Sequence, residues 1–377
     1  MKPTIYINAS TAHVGGAVTY IDGLVAALAA RARDYKYIVF ANPELVARFD
    51  VTEHVDFVPV FGDGRRPPFV ARLLWDQLGL RRSLTRRPAV LFAAANVALF
   101  RSPVPQVLLV RQSLYFSRDF NERILPARTL RSRAEERTRF EYLKRSMAAA
   151  DHLLVPSQSM KDALSASLPV PVPVSVLRYA TVAEPRPHAP RRDRPFTFVY
   201  PSHYADYKNF RHLLEAAKLL QRRGYAFRLR VNAEPENFPS YVSAWHARDC
   251  QLFADPSLSP VLERVGRQTA DQVRRSLDDS DALVMPSFTE SFGHPFLEAM
   301  RAGLPIAASD RPIAHEVAGD AATFFDPWNP DSIADAMATL IDDEGCRARL
   351  GAAGLARATR RTWTDYLDDL ERVCTRH

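Results

Sequence analysis

Ser287 to Gly303 reads S-F-T-E-S-F-G-H-P-F-L-E-A-M-R-A-G. A short apolar run, Ala282 to Pro286, precedes it and reads as a buried strand. Pro295 fits the first turn of a helix and Gly303 fits its C-terminal stop, so the segment predicts strand, loop, helix. The loop holds Glu290, Ser291, Phe292 and Gly293, and His294 follows at the helix start. A helix start favours anions, phosphate above all. Glu298 is expected in the first turn, facing the same ligand, with Glu290 just before it. Two carboxylates repel a phosphate unless they face neutral hydroxyl groups beside it. A nucleotide sugar offers both: a diphosphate in the middle, with a ribose and a hexose on either side.

Glu290 to Glu298, with Phe292-Gly293, Leu297-Glu298-Ala299-Met300 and Gly303-Leu304-Pro305, resembles the E-x7-E motif of the retaining glycosyltransferases of family 4. The resemblance implies that Glu290 contacts the transferred sugar and Glu298 the ribose. It also implies that the N–H groups of Ser291, Phe292, Gly293 and His294 hold the diphosphate. It implies an α/β fold of the GT-B type, two Rossmann-like domains whose parallel sheets face a central cleft. The plain alternative is a capped helix with two surface carboxylates.

Upstream, Phe196 begins a second α/β unit with F-T-F-V-Y, followed by S-H-Y-A-D-Y-K-N from Ser202. Relatives commonly carry G-R-x4-K-G or K-N here, with Arg and Lys on the donor diphosphate. Lys208-Asn209 matches the second part, and His203 replaces the Arg. Ala226 to Asn232 and Val261 to Gly266 are the next strand candidates, with a helix from about Thr269 to Asp278. By resemblance Val265 and Gly266 touch the nucleobase. Asp278-Asp279-Ser280-Asp281 contains a D-x-D spacing, but it reads as a helix end entering the buried strand, not a metal site. Pro305 to Ser309 and Ala321 to Phe325 complete the sheet.

The first half alternates strand and helix in the same manner. Thr4–Asn8, Tyr37–Ala41, Asp56–Val60, Ala89–Ala94, Pro105–Val110, Leu153–Pro156 and Val174–Leu177 are strand candidates, which predicts a parallel, doubly wound sheet. Gly15 and Gly16 lie just after the first strand, where paired glycines admit a close backbone approach or make a tight turn. No G-x-G-x-x-G is present, so a dinucleotide cofactor is not supported. In the family a glycine loop here faces the cleft near the sugar and acceptor. Gln112 stands where many relatives have a His, and Gln cannot act as an acid–base group at neutral pH. Ser117 to Arg145 carries nine Lys/Arg and five Asp/Glu and predicts an exposed helix with ion pairs. As a basic amphipathic helix it also fits an anionic membrane surface.

Proline-rich Val182 to Pro195 reads as a linker. The expected domains are residues 1–185, an acceptor-side domain, and 196–360, a nucleotide-sugar domain. Residues 361–377 are expected to form a helix crossing back to the first domain.

At 377 residues and 47% hydrophobic content, two ordinary soluble domains are expected. No run of about 18 apolar residues suggests a membrane span. The N-terminus, M-K-P-T-I-Y-I-N, enters a strand directly without a signal-peptide pattern, and three scattered cysteines suit a reducing cytoplasm. Residues 1–180 carry 25 Lys/Arg against 15 Asp/Glu, while the remainder carries 25 against 28. A basic half suits a membrane surface, an acidic acceptor or nucleic acid; the last has no other support.

The expectation is a metal-independent, retaining transferase with no cofactor beyond its nucleotide-diphosphate sugar. The acceptor is a glycan, a lipid-linked chain or a small molecule. The protein is expected in the cytoplasm or on the inner membrane face. A catalytically silent sugar-nucleotide-binding subunit and a GT-B epimerase are the rivals.

Overall fold

A computed structural model describes residues 2–10, 16–29, 34–61, 69–94, 96–180, 186, 193–238, 242–358 and 361–376, with backbone alone at 16–19 and 69–70. Gly15 lies outside the described residues. The chain forms two compact units: Met1–Gln112, Arg137–Val182 and Arg361–His377 in one, Ser113–Glu136 and Ala183–Arg360 in the other.

The first unit holds β1 (Thr4–Asn8), β2 (Lys36–Ala41), β3 (Val55–Pro59), β4 (Ala89–Ala93), β5 (Gln106–Leu109), β6 (His152–Val155) and β7 (Val174–Val176). Their order is β3-β2-β1-β4-β5-β6-β7, every pair parallel. Parallel strands need cover on both faces, and the central strands are buried along their length, as in T-I-Y-I-N and Q-V-L-L. Gly16 opens the helix Gly16–Ala29. The terminal helix Trp363–Cys374 belongs to this unit and starts with a reciprocal Thr362–Asp365 capping box. Trp363, Tyr366, Leu367 and Leu370 are buried, as their spacing predicts. Tyr366 shares a 2.6 Å hydroxyl hydrogen bond with Tyr20. Trp363 fills the space beside Gly23, where an added Cβ would lie 2.2 Å from its ring.

The second unit holds β8 (Phe196–Tyr200), β9 (Phe227–Val231), β10 (Leu262–Arg264), β11 (Ala282–Met285), β12 (Ile306–Ser309) and β13 (Ala322–Phe325), ordered β10-β9-β8-β11-β12-β13 and again all parallel. The chain winds outward from β8 to β10, then returns beside β8 as β11. That reversal leaves a crevice at the carboxyl ends of β8 and β11, where open α/β sheets bind ligands.

Three readings of the sequence need correction. Ser117–Arg145 is not one exposed helix. Short turns at Leu114–Phe116, Phe120–Ile124 and Leu125–Ala127 precede a helix at Leu130–Ala149. Phe120 and Ile124 are fully buried and Arg128 nearly so. Residues 113–136, expected in the first domain, group with the second unit. The strand expected over Val261–Gly266 is confined to Leu262–Arg264, because Gly266 turns to φ +66°. Among the described residues no helix is long and apolar enough to cross a membrane.

Candidate active site

The loops leaving β8 and β11 meet. After β8 the chain passes His203, makes a 3-10 turn at Asp206–Lys208, and enters the helix Phe210–Arg222 through Asn209. Asn209 is left-handed, at φ 58° and ψ 38°. Asn tolerates this region better than most residues, and here its side chain locks the turn. Asn209 Nδ2 donates to the carbonyls of Pro286 (3.0 Å) and Pro327 (2.7 Å). Further ties cross from one loop to the other. Tyr200 Oη lies 2.6 Å from Ser287 Oγ and donates to the Lys208 carbonyl, and Phe288 N donates to the Tyr207 carbonyl. The result is a 2.5 Å ion pair between Lys208 Nζ and Glu290 Oε1, 82 residues apart, with both side chains largely shielded. Burial opposes the Lys208 charge, but Glu290 outweighs it and the ammonium pKa rises.

Gly293 caps the helix His294–Arg301 at φ +82°. A Cβ there would meet Phe296 Cδ2 at 2.7 Å. Pro295 stands in the first turn as expected. At the other end Gly303, at φ 65°, and Leu304 donate to the carbonyls of Met300 and Ala299, the double bond of a Schellman close. Glu298 is not in the first turn: the helix begins at His294, which puts Glu298 one turn on. It is partly buried, and burial raises its pKa to about 7, with Arg301 pulling the other way. Ser291 and His294 are partly buried and Phe292 is buried, all on this one loop and helix start.

His203 has an exposed ring but is surrounded by protein on its inner side. That burial, and then the Lys208 ammonium, push its pKa down to about 4, against Glu290. This lies below the usual histidine value of about 6.5. Val265 continues β10, its N–H donating to the Val231 carbonyl, and the Gly266 Cα faces the Glu234 carboxylate. These two stand at the ends of β9 and β10, on the outer side of the crevice. Asp281 is occupied structurally: it accepts from Arg194 Nη1 (2.6 Å) and Thr197 N (2.8 Å). Among the described residues no three His, Cys, Asp or Glu side chains cluster as a metal site.

The remaining candidates are in the first unit. Gly16 begins its first described helix, and Gln112 follows β5, partly buried. Next to Gln112, the Arg111 guanidinium lies 5.0 Å from the Tyr20 ring centroid. Sequence reasoning missed Asn209 as a lock, and Tyr200 and Ser287 as the bridge. An Asn immediately before an apolar helix was the available signal for the first. The bridge has no local signal.

Residues 183–357 match the family described as glycosyl transferases group 1, and residues 14–179 match glycosyltransferase family 4. The O-antigen chain mannosyltransferase B of Escherichia coli is 31% identical over 165 residues, 41% of this chain and 39% of that protein. The D-inositol 3-phosphate glycosyltransferase of Pseudarthrobacter chlorophenolicus is 32% identical over 157 residues, 40% of this chain and 36% of that protein. The chain thus matches less than two fifths of the length of either relative. Sucrose-phosphate synthase from Thermosynechococcus elongatus superposes with a TM-score of 0.75 at 15% identity, covering 99% of this chain and 98% of that one. HepE of Anabaena, solved with UDP and glucose, superposes with a TM-score of 0.68 at 15% identity, covering 98% and 99%. At such identities the likeness concerns the fold.

Proposed function

Since the chain belongs to the family 4 glycosyltransferases of GT-B fold, we propose that it moves a sugar from a nucleotide-diphosphate donor to an acceptor hydroxyl, with retention of configuration and without a metal ion. The observation that carries this reading is the Lys208–Glu290 pair at the reversal between β8 and β11. A permanent cation and a carboxylate, held side by side, suit a ligand with a phosphate next to a sugar. Lys208 and the helix-start N–H groups stabilise the charge growing on the departing diphosphate. Glu290 receives hydroxyl hydrogen bonds from the transferred sugar, and Glu298 those of the ribose. Gly266 admits the base. Gly15, Gly16 and Gln112 of the first unit are assigned to the acceptor.

In the transfer the anomeric carbon–phosphate oxygen bond breaks and the bond to the acceptor oxygen forms on the same face. The acceptor proton passes to the leaving phosphate oxygen, so no protein base is required. His203, neutral at physiological pH, donates a hydrogen bond to the diphosphate in place of a charge. The names of the relatives point to polysaccharide chains and small polyol phosphates as acceptor classes. A working position at an anionic membrane surface is favoured by one observation. Leu74 and Leu78, one helical turn apart, are exposed, and exposed Arg81 and Arg82 follow them.

The test is a panel of UDP-, GDP- and dTDP-hexoses, scored first by thermal shift. A saturating donor at about 100 times its dissociation constant stabilises by about 2.7 kcal/mol. Donor consumption is then followed with acceptor pools, with and without EDTA. Acceptor-dependent consumption that EDTA leaves unchanged supports the reading. Donor conversion to an epimer without acceptor contradicts it.

A further inference from the structure

Between β5 and the helix Leu130–Ala149, residues 113–136 form a strap that runs within the second unit. Its backbone pairs with residues 242–244: Thr129 N donates to the Val242 carbonyl, and Ala244 N to the Ala127 carbonyl. Its main fastening is Arg128. Nε and Nη2 donate to Asp206 Oδ2 and Oδ1, both at 2.8 Å, and Nη1 lies 3.1 Å from Glu136 Oε1. The Asp206 side chain is wholly buried and those of Arg128 and Glu136 are nearly so. Tyr115 Oη completes the group by donating to Glu136 Oε2 at 2.7 Å. Asp206 opens the turn that carries Lys208, and one residue separates them. That residue, Tyr207, donates its N–H to Asp206 Oδ1 and accepts from Phe288 N at its carbonyl.

The strap also grips the Glu290 loop. Thr289 Oγ1 donates to Ser113 Oγ at 3.3 Å. Asp119 accepts from Arg311 Nε (2.6 Å) and from Trp328 Nε1 (2.9 Å), and the Trp328 ring stacks on Phe288 at 3.9 Å. Both members of the ion pair are thus held from the same segment.

We infer that Arg128 is a positioning residue for the transfer, fixing Lys208 against Glu290 through Asp206. This rests on the reading of Lys208 as the donor-phosphate group. A planar guanidinium matches both carboxylate oxygens at once; an ammonium cannot. Without Arg128, the buried Asp206 and Glu136 carboxylates lose the cation they share, and Asp206 can relieve this by moving the turn. A shift of about 1 Å at Lys208 suffices to slow turnover on the order of 100-fold.

The test is a double-mutant cycle on the full chain, measuring kcat and donor KM for the parent, Arg128→Gln, Lys208→Ala and the double variant, with melting temperatures alongside. Arg128→Gln should lower kcat on the order of 10–100-fold, and Arg128→Lys should not restore it. In the Lys208→Ala background Arg128→Gln should cost less than about threefold, because the residue it positions is gone. If Lys208→Ala has no measurable turnover, the cycle is read from the dissociation constants of UDP and GDP. If Arg128→Gln does not fold, Tyr115→Phe takes its place, with a smaller loss and the same dependence on Lys208. Equal losses in both backgrounds, or an unchanged kcat in folded Arg128→Gln, overturn the inference. Unchanged kcat and donor affinity in Lys208→Ala overturn the donor-phosphate reading itself.

Discussion

Glu298 and His203 have pKa values displaced in opposite directions, and near neutral pH only Glu298 sets a pH dependence. A carboxyl raised from 4.5 to about 7 adds stability that is complete below about pH 4.5 and is lost as pH rises through 7. Glu298→Gln should therefore melt higher than the parent at pH 8, with the difference vanishing near pH 4.5. Glu298 is partly exposed, so the gain is discounted to on the order of 1–2 kcal/mol. Equal melting temperatures at pH 8 would count against burial of this carboxyl. For donor binding the sign is the reverse of what an ordinary His203 predicts. Ribose hydroxyls favour the ionised carboxylate, so affinity for the intact donor should improve from pH 6 to pH 8. Glu298→Gln should flatten that slope. His203→Gln should leave it unchanged, because the ring is already neutral there. Isothermal titration across pH checks this, and an affinity that improves on acidification would restore a protonated His203. The sequence singled out both residues but neither protonation state, since the burial that shifts each is set by packing that the sequence does not show.

At the scale of elements, local chemistry made the strands and stops legible. The apolar runs placed most strands within a residue or two, and Pro295 and Gly303 marked one helix correctly. The strap was not legible, because its meaning lies in Arg128 and Asp206, which are 78 positions apart. Read locally, its arginines look like a solvated helix face. The Lys208 turn shows a similar limit: Asn209 is legible as a helix entry, yet its two carbonyl acceptors come from distant loops. Asn209→Ala should lose both hydrogen bonds to those carbonyls and strain the left-handed backbone, at about 2–4 kcal/mol in total. Asn209→Gly relieves the strain only, and should be the milder change by roughly 1 kcal/mol. Denaturant unfolding of the two variants checks this. An Asn209→Gly protein as stable as the parent would show that the hydrogen bonds contribute nothing. Gly293→Ala should also be destabilised, by about 1–2 kcal/mol, because its φ is left-handed and its Cβ would press on Phe296.

For the whole molecule, the sequence made two parallel, doubly wound units readable as a class, and the charge asymmetry as a number, while the strand orders came from the structure. It did not reveal that the chain passes from one unit to the other at residues 112–113 and again at 136–137. The basic surplus lies in residues 1–180, and exposed Leu74 and Leu78 add an apolar component beside Arg81 and Arg82. Association with anionic vesicles should therefore appear at low salt, weaken as salt screens it, and fall in a Leu74→Gln, Leu78→Gln protein. Equal recovery with neutral and anionic vesicles in a sedimentation assay would refute it. The central claim is that Lys208 and Glu290 hold a nucleotide-diphosphate sugar for transfer on the same face. Its most direct measurement is proton NMR of the anomeric signal of the first product formed from the donor that stabilises the protein most. The account predicts a product with the donor's anomeric configuration, formed far more slowly by Glu290→Ala and Lys208→Ala. A product of inverted configuration, or undiminished turnover in both variants, would contradict it.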